Sequence, residues 1–148
     1  MRHARAVRAL WVTVEQDFTA PVDRVFAHLS AHENMAEVFG AKVERLEDGR
    51  PERNGVGSRR RMRIGPTAPF EETVTRFEPG ELIEYRITKG TPLRDHVGVM
   101  RFTSRPGGGS HLDYRIRIAS RVPGIAPIVK AATTRTLTQG LAKVDSRL

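Results

Sequence analysis

The segment PGIAPIVKAATTRTLTQGLAKVDSRL, residues 123–148, has the longest helical periodicity in the chain. Apolar and small side chains recur in it every three to four residues, as on one face of an amphipathic helix. They are Ile125, Ile128, Val129, Ala132, Thr136, Leu137, Gly140 and Val144. The spacing predicts one long helix near the C-terminus.

Before this helix come six short runs of alternating polar and apolar residues, and each run predicts a β-strand. They are AKVERLED (41–48), GSRRRMRIG (57–65), APFEETVTRFE (68–78), ELIEYRITK (81–89), DHVGVMRFTS (95–104) and SHLDYRIRIAS (110–120). Gly and Pro, which favour turns, separate the runs. Consecutive strands joined by short turns predict an antiparallel meander.

The N-terminal part of the chain predicts one more strand and two short helices. LWVTVEQDFT (10–19) alternates as a strand does, and PVDRVFAHLS (21–30) has a single apolar stripe at helical spacing. ENMAEVFG (33–40) predicts a second short helix that ends at Gly40, which suits a C-cap.

The order of elements predicts an α+β fold. A seven-stranded antiparallel sheet with one apolar face needs cover, and the C-terminal helix is the only predicted element long enough to provide it. We therefore expect the sheet to wrap around this helix and to leave a cavity between them.

Composition narrows the possible chemistry. A chain of 148 residues suits a single domain, residues 1–148, with residues 1–9 as a basic N-terminal extension. The absence of cysteine excludes disulfides, thiolate catalysis and cysteine-based zinc sites. His28 and His32 are four residues apart but lack the HExxH pattern, so we expect surface histidines, no metal and no cofactor. With neither a secretory signal nor a long apolar run, a cytoplasmic location is expected.

Several segments, in this order, resemble the START-like, helix-grip superfamily (SRPBCC), particularly its bacterial polyketide cyclase/dehydrase-like and lipid-transfer-like members. They are FTAPVDRVFAHLS (18–30), GVGSRRRMRIG (55–65), FEETVTRFEPGELIEYRI (70–87), DHVGVMRF (95–102), GGGSHLDYRI (107–116) and VPGIAPIV (122–129). The resemblance covers nearly the whole chain. It implies a deep apolar pocket for a lipid, polyketide, sterol or isoprenoid, but it does not fix a reaction, because one fold hosts many activities.

The arginine run has two faces if residues 58–65 are a strand. The outward side chains are Arg59, Arg61 and Arg63, and the inward ones are Arg60, Met62 and Ile64. We expect the outward arginines to be solvated and to pair with neighbours such as Glu71 or Glu44. Arg60 is expected near the cavity mouth, where it could hold a ligand carboxylate or phosphate.

The same alternation predicts further lining residues for the pocket. They are Ile83, Tyr85, Met100, Phe102, Tyr114 and Ile116 from the strands, and Val129 and Thr136 from the last helix. Gly98, which shares a face with His96 and Met100, is expected to leave room for a ligand.

Glu72 and His96 are the candidate catalytic residues. The resemblance aligns Glu72 with an acidic position of the family. If both side chains point inward, a carboxylate and an imidazole lie on nearby strands of one cavity, which is a plausible general acid and base. One alternative is that Glu72 pairs with Arg60 and that His96 only hydrogen-bonds a tyrosine or a water. Another is that these residues anchor a polar group of the ligand without catalysis.

Three functions are compatible with these patterns. The leading hypothesis is binding or transport of a small hydrophobic ligand, such as a lipid, polyketide or isoprenoid, by a monomer or homodimer. The second is a cyclase or dehydratase-type enzyme that uses His96 and Glu72. The third is a basic adaptor that contacts RNA, the ribosome or an anionic membrane, since the net charge is +8. The lack of a recognition helix or aromatic platform argues against nucleic acid.

Overall fold

The computed structural model describes residues 8–148, so most of the predicted basic N-terminal extension, residues 1–9, lies outside the described residues. The strands are β1 Leu10–Phe18, β2 Lys42–Glu47, β3 Arg59–Arg63, β4 Phe70–Glu78, β5 Leu82–Lys89, β6 Arg94–Ser104 and β7 Ser110–Ala119. The α-helices are α1 Val22–Ser30, α2 Met35–Phe39 and α3 Ile125–Leu141. The predicted order of elements is confirmed.

The strands form one antiparallel sheet in the order β1-β7-β6-β5-β4-β3-β2. The strands β2 to β7 therefore follow one another as the predicted meander, and β1 pairs with the last of them, Leu10 opposite Ile118 and Phe18 opposite Ser110. This arrangement is the helix-grip, α+β fold expected from the sequence.

Side-chain alternation decides which face of the sheet is buried. On β7 the apolar residues Leu112, Tyr114, Ile116 and Ile118 are buried, and on β3 Arg60 and Met62 are buried while Arg61 and Arg63 are exposed. The predicted faces of both strands are thus confirmed.

Three helices share the cover of this face. Phe26 of α1 packs edge-to-face against Phe102 and Phe77, with ring centroids 5.0 Å and 5.3 Å away. The helix α3 packs on β1, β7 and α2. The apolar stripe of α1 thus covers part of the face that the sequence analysis assigned to α3.

The two halves of α3 are packed differently. In the second half, Leu137, Gly140 and Leu141 are buried, whereas Ala126 is the only buried residue of the first half. Ile128, which was expected on the buried stripe, is 67% exposed. No α-helix within residues 8–148 has the length and hydropathy that crossing a bilayer requires.

Candidate functional site

A cavity of about 550 Å³ lies between the sheet and the first half of α3. Its volume falls within the range of roughly 300–1,000 Å³ that is typical of small-molecule sites. The apolar side chains on its wall are Phe39, Met62, Ile64, Ala68, Phe70, Ile87, Pro92, Leu93, Ile116, Ile118, Ile125, Ile128, Val129 and Ala132. Its polar side chains are Thr67, Glu72, Tyr85, Thr91, His96 and Thr133.

Some of the expected lining residues lie on this wall and others do not. On the wall are Glu72, His96, Met62, Ile64, Tyr85, Ile116 and Val129. Ile64 lies at the mouth, because it is 39% exposed. Away from the wall are Arg60, Ile83, Met100, Phe102, Tyr114 and Thr136, of which all but Thr136 are buried.

The residues away from the wall lie where other side chains already fill the inner face of the sheet. Phe102 contacts Phe26 of α1, and the buried residues Ile83 and Met100 lie opposite each other on β5 and β6. Their part of the face is filled by packing, so no space is left there for a ligand. Alternation identifies the face of a strand, but it does not show which length of the strand borders a cavity.

The sequence patterns missed the loops that form the mouth. Residues 64–68 connect β3 to β4 and residues 90–93 connect β5 to β6, and both segments contribute to the wall. They contain Gly and Pro but no charged residue. The sign in the sequence that these loops border the cavity was the lack of charge in a turn between two amphipathic strands.

Arg60 and Glu72 form a buried ion pair beside the cavity. The Arg60 guanidinium donates from Nε and Nη2 to the same oxygen, Glu72 Oε1, at 2.9 Å and 2.8 Å. It also lies over the ring of Tyr85, 5.0 Å from the centroid. The alternative in which Glu72 pairs with Arg60 therefore describes the structure. Arg60 is directed at Glu72 and not at the cavity mouth.

His96 takes the place of a strand partner for β5. The ladder between β5 and β6 ends at the pair Tyr85–Gly98, and two residues further along β5 the backbone N–H of Ile87 donates to His96 Nδ1 at 3.2 Å. Since Nδ1 accepts a hydrogen bond, the proton of the neutral ring is on Nε2. Burial, together with the nearby Arg60, lowers the pKa of His96, while Glu72 opposes this shift. The ring is therefore neutral near pH 7.

The free polar atoms of Glu72 and His96 lie close together. Glu72 Oε2 is 4.0 Å from His96 Nε2, and the two side chains are only 5% and 8% exposed. Both residues border the cavity. An acceptor and a donor thus lie side by side on an otherwise mainly apolar wall.

Two buried tyrosines, Tyr85 on the cavity wall and Tyr114 away from it, form a second polar contact. The hydroxyls of Tyr85 and Tyr114 hydrogen-bond each other, and burial raises the pKa of both side chains, so both are neutral. A side-chain carbon at Gly98 would overlap with Cζ of Tyr85. Gly98 therefore leaves room for the ring of Tyr85, whereas the sequence suggested room for a ligand.

Two other expected features concern histidines and surface arginines. His32 is 1% exposed, and its Nε2 lies 3.0 Å from Ser58 Oγ, so the prediction of a surface histidine is wrong there. The described residues contain no group of three potential metal ligands.

On the outer face of β3, Arg59 pairs with Glu71 and Arg61 with Glu44, which confirms the expected pairing.

Comparison with solved structures shows that this fold is widespread. The Zhui aromatase/cyclase from Streptomyces sp. R1128 superposes with a TM-score of 0.75 at 17% identity, covering 95% of each chain. A START superfamily protein from Mycobacterium smegmatis gives a TM-score of 0.75 at 17% identity, covering 93% of this chain and 95% of that one. Norcoclaurine synthase from Thalictrum flavum, in complex with dopamine and hydroxybenzaldehyde, gives 0.71 at 12% identity, covering 99% and 95%.

These identities establish the fold alone. No curated protein matches the sequence. The sequence model of one family, described as polyketide cyclase / dehydrase and lipid transport, matches residues 10–148. That match spans the whole sheet and all three α-helices, and the chain therefore belongs to the polyketide cyclase/dehydrase and lipid transport family.

Proposed function

We propose that this protein binds or carries a small hydrophobic ligand, of the lipid, polyketide or isoprenoid kind, in the cavity between the sheet and α3. The observation that carries the proposal is the cavity itself, with about 550 Å³ of space, mainly apolar walls and one polar patch at Glu72 and His96. Apolar walls with a few polar groups are the usual make-up of a ligand site. The family description, which joins cyclases with lipid transport, supports this class of ligand.

Mass spectrometry of the freshly purified protein, first native and then after organic extraction, tests the proposal directly. A near-stoichiometric apolar molecule in the extract would support it. Binding of the neutral fluorophore phenylnaphthylamine provides a second test that does not depend on the expression host.

Two neighbouring alanines of α3 give a matched pair for the fluorophore test. Both are exposed, but Ala132 borders the cavity and Ala131 lies outside its wall. We expect Ala132→Trp to abolish saturable binding, because the indole fills the mouth, and Ala131→Trp to bind as the wild type does. Equal binding by both variants would show that the cavity is not the binding site.

A cyclase or dehydratase-type activity is the second candidate, favoured by the 4.0 Å separation of Glu72 Oε2 and His96 Nε2. In the proposed mechanism, Glu72 Oε2 takes a proton from the carbon next to a ligand carbonyl. The electron pair of that C–H bond then moves to the carbonyl oxygen, which His96 Nε2–H stabilises by a hydrogen bond. The resulting enolate is the nucleophile of a cyclisation and the intermediate of a dehydration.

Deuterium exchange separates this enzyme from a carrier. The ketone tetralone, incubated with the protein in deuterated water, would gain deuterium next to its carbonyl if Glu72 acts as the base. We expect exchange faster than in buffer and its loss in Glu72→Gln and His96→Ala, with Ala131→Trp as the control. Exchange at the buffer rate would leave the carrier as the function.

Contact with an anionic membrane at the cavity mouth is a separate part of the proposed transport. The three segments that border the mouth, residues 62–70, 87–94 and 116–133, contain cations but no Asp or Glu. Ile64 and Ile128 expose apolar surface there. Exposed apolar residues flanked by cations fit a negatively charged lipid surface. Arg59 and Arg61, by contrast, are paired with acids on the outer face of the sheet.

Sedimentation with vesicles tests this contact. We expect binding to vesicles of phosphatidylcholine and phosphatidylserine and none to phosphatidylcholine alone. Ile128→Ser should weaken it, and Val56→Ser, at an exposed residue outside the cavity wall, should not. Binding to RNA with a steep salt dependence, without vesicle binding, would instead favour the basic adaptor.

A further inference from the structure

We infer that, given the proposed function, the ligand presents a neutral hydroxyl group to Glu72 and His96. The polar end of the cavity offers one acceptor and one donor, and each belongs to a side chain that is more than nine-tenths buried. A group that can accept one hydrogen bond and donate another satisfies both. An alcohol or phenol oxygen does this with a single atom.

The acceptor is Glu72 Oε2. Arg60 uses both of its hydrogen bonds to Glu72 on the other oxygen, Oε1. Within residues 8–148, no donor reaches Oε2. Charged acceptors form the stronger hydrogen bonds in proteins, so a donor that reaches this atom gains more than it would from a neutral group.

The donor is His96 Nε2–H. Its orientation follows from the backbone, because Ile87 N–H occupies Nδ1 and leaves the ring proton on Nε2. The ring cannot exchange its tautomer without losing that hydrogen bond. Nε2 is therefore always a hydrogen-bond donor in this site. It cannot become an acceptor for a donor group of the ligand.

The distance between these atoms selects a bridging oxygen. At 4.0 Å, Oε2 and Nε2 are too far apart for a direct hydrogen bond. An oxygen placed about 2.8 Å from each of them completes two good hydrogen bonds. The hydroxyl accepts from Nε2–H and donates its own proton to Oε2.

Other polar groups satisfy this site less well. A carboxylate or phosphate has no proton for Oε2 and brings a second negative charge beside a buried carboxylate, which is unfavourable. A ketone accepts from Nε2–H but leaves Oε2 without a donor. An ammonium donates to Oε2 but turns its protons towards Nε2–H. The structure thus reverses the expectation that Arg60 holds a ligand carboxylate or phosphate, because Glu72 already engages that guanidinium.

Three probes with one aromatic skeleton test the inference by fluorescence titration. Pyrenemethanol carries the hydroxyl, ethylpyrene replaces it with a methyl group, and pyrenecarboxylate carries a negative charge. We expect pyrenemethanol to bind at least about 10-fold more tightly than ethylpyrene, since a hydrogen bond to a charged group contributes about 1.5–3 kcal/mol. Pyrenecarboxylate should bind most weakly.

Two variants should remove this order of affinity in different ways. In Glu72→Gln, the amide carbonyl accepts from Arg60 and the amide N–H faces the cavity, so the hydroxyl loses its preference and the carboxylate gains affinity. In His96→Phe, the donor is lost while a ring remains, so pyrenemethanol and ethylpyrene should bind alike. Thr138→Val removes an exposed hydroxyl of α3 outside the cavity wall and should keep the wild-type order. Circular dichroism checks that each variant folds.

The outcomes separate this inference from the proposed function. If all three probes bind the wild type equally well, or if the carboxylate binds best, the hydroxyl inference is overturned while hydrophobic binding stands. If no probe binds saturably and Ala132→Trp changes nothing, the cavity is not the ligand site. The hydroxyl inference and the proposed function are then both wrong. The wild-type order of affinities, lost in Glu72→Gln and His96→Phe, supports both.

Discussion

Gly140 of α3 lies directly against the carbonyl group of Val38 in α2, so closely that a side-chain carbon at position 140 would overlap with the carbonyl oxygen. This contact holds the second half of α3 against the protein. We expect Gly140→Ala to lower the free energy of unfolding by about 1–3 kcal/mol, because the helices must move apart. Chemical denaturation measures the change.

The sign of that change is informative, because helix propensity alone predicts the opposite result. Alanine in place of a helical glycine stabilises a helix by about 1 kcal/mol where nothing obstructs the methyl group. A variant as stable as the wild type, or more stable, would show that α2 and α3 are further apart than described.

Gly98 and Tyr85 should show a coupled effect on stability. In Gly98→Ala, the new methyl group overlaps with the tyrosine ring and should lower the free energy of unfolding by about 1–3 kcal/mol. Tyr85→Leu removes the ring that causes the overlap. A double-mutant cycle should therefore give a loss smaller than the sum of the single losses. Additive losses would mean that the two residues do not compete for this space.

His32 should make the protein less stable in acid. Burial, followed by the nearby Arg60 and Arg45, lowers the pKa of His32 from 6.5 to about 3. Between these values the unfolded chain binds a proton that the folded chain does not, so stability falls as the pH drops through this range. In this range the free energy of unfolding falls by up to about 1.4 kcal/mol for each pH unit of acidification.

Urea denaturation near pH 7 and near pH 5 measures this contribution. We expect His32→Gln to lose less stability than the wild type over that range, since its side chain does not titrate. Carboxylates affect both proteins and cancel in the difference. Equal losses in the two proteins would mean that His32 is protonated in the folded state as readily as in the unfolded chain.

The pair of Arg60 and Glu72 should be more sensitive to losing one partner than to losing both. Arg60→Met leaves a buried carboxylate without its counter-charge, which costs about 3–5 kcal/mol. The double variant Arg60→Met, Glu72→Met replaces the pair by apolar side chains, and we expect it to recover most of that loss. Denaturation of the two single variants and the double variant checks this. A double variant less stable than Arg60→Met would contradict it.

The faces of the strands were predictable because alternation is a local property. Arg60 and Met62 point inward while Arg61 and Arg63 point outward, as the sequence of β3 indicates. Gly40 ends α2 with a positive φ of 59°, as its position after an apolar run indicates. Each of these features depends on a few neighbouring residues, which a single sequence contains.

Features that depend on contacts between distant elements were not predictable. Phe102 contacts α1 instead of a cavity, and His32 is buried beside Ser58, which follows it by 26 residues. The fixed proton on His96 results from the point at which the ladder of β5 and β6 ends. The position at which two strands stop pairing cannot be inferred from a local sequence pattern. The tautomer of His96 could therefore be assigned only from the structure.

The unequal packing of α3 has a kinetic consequence. Its first half borders the cavity and has one buried residue, Ala126, whereas its second half is held at Leu137, Gly140 and Leu141. Segments with few packed contacts open more often than well-packed ones. We therefore expect the amides of residues 129–135 to exchange with deuterated water before those of residues 137–141. The residence time of a bound molecule would then depend on how often this half-helix opens, largely independently of the hydrogen bonds that set its affinity.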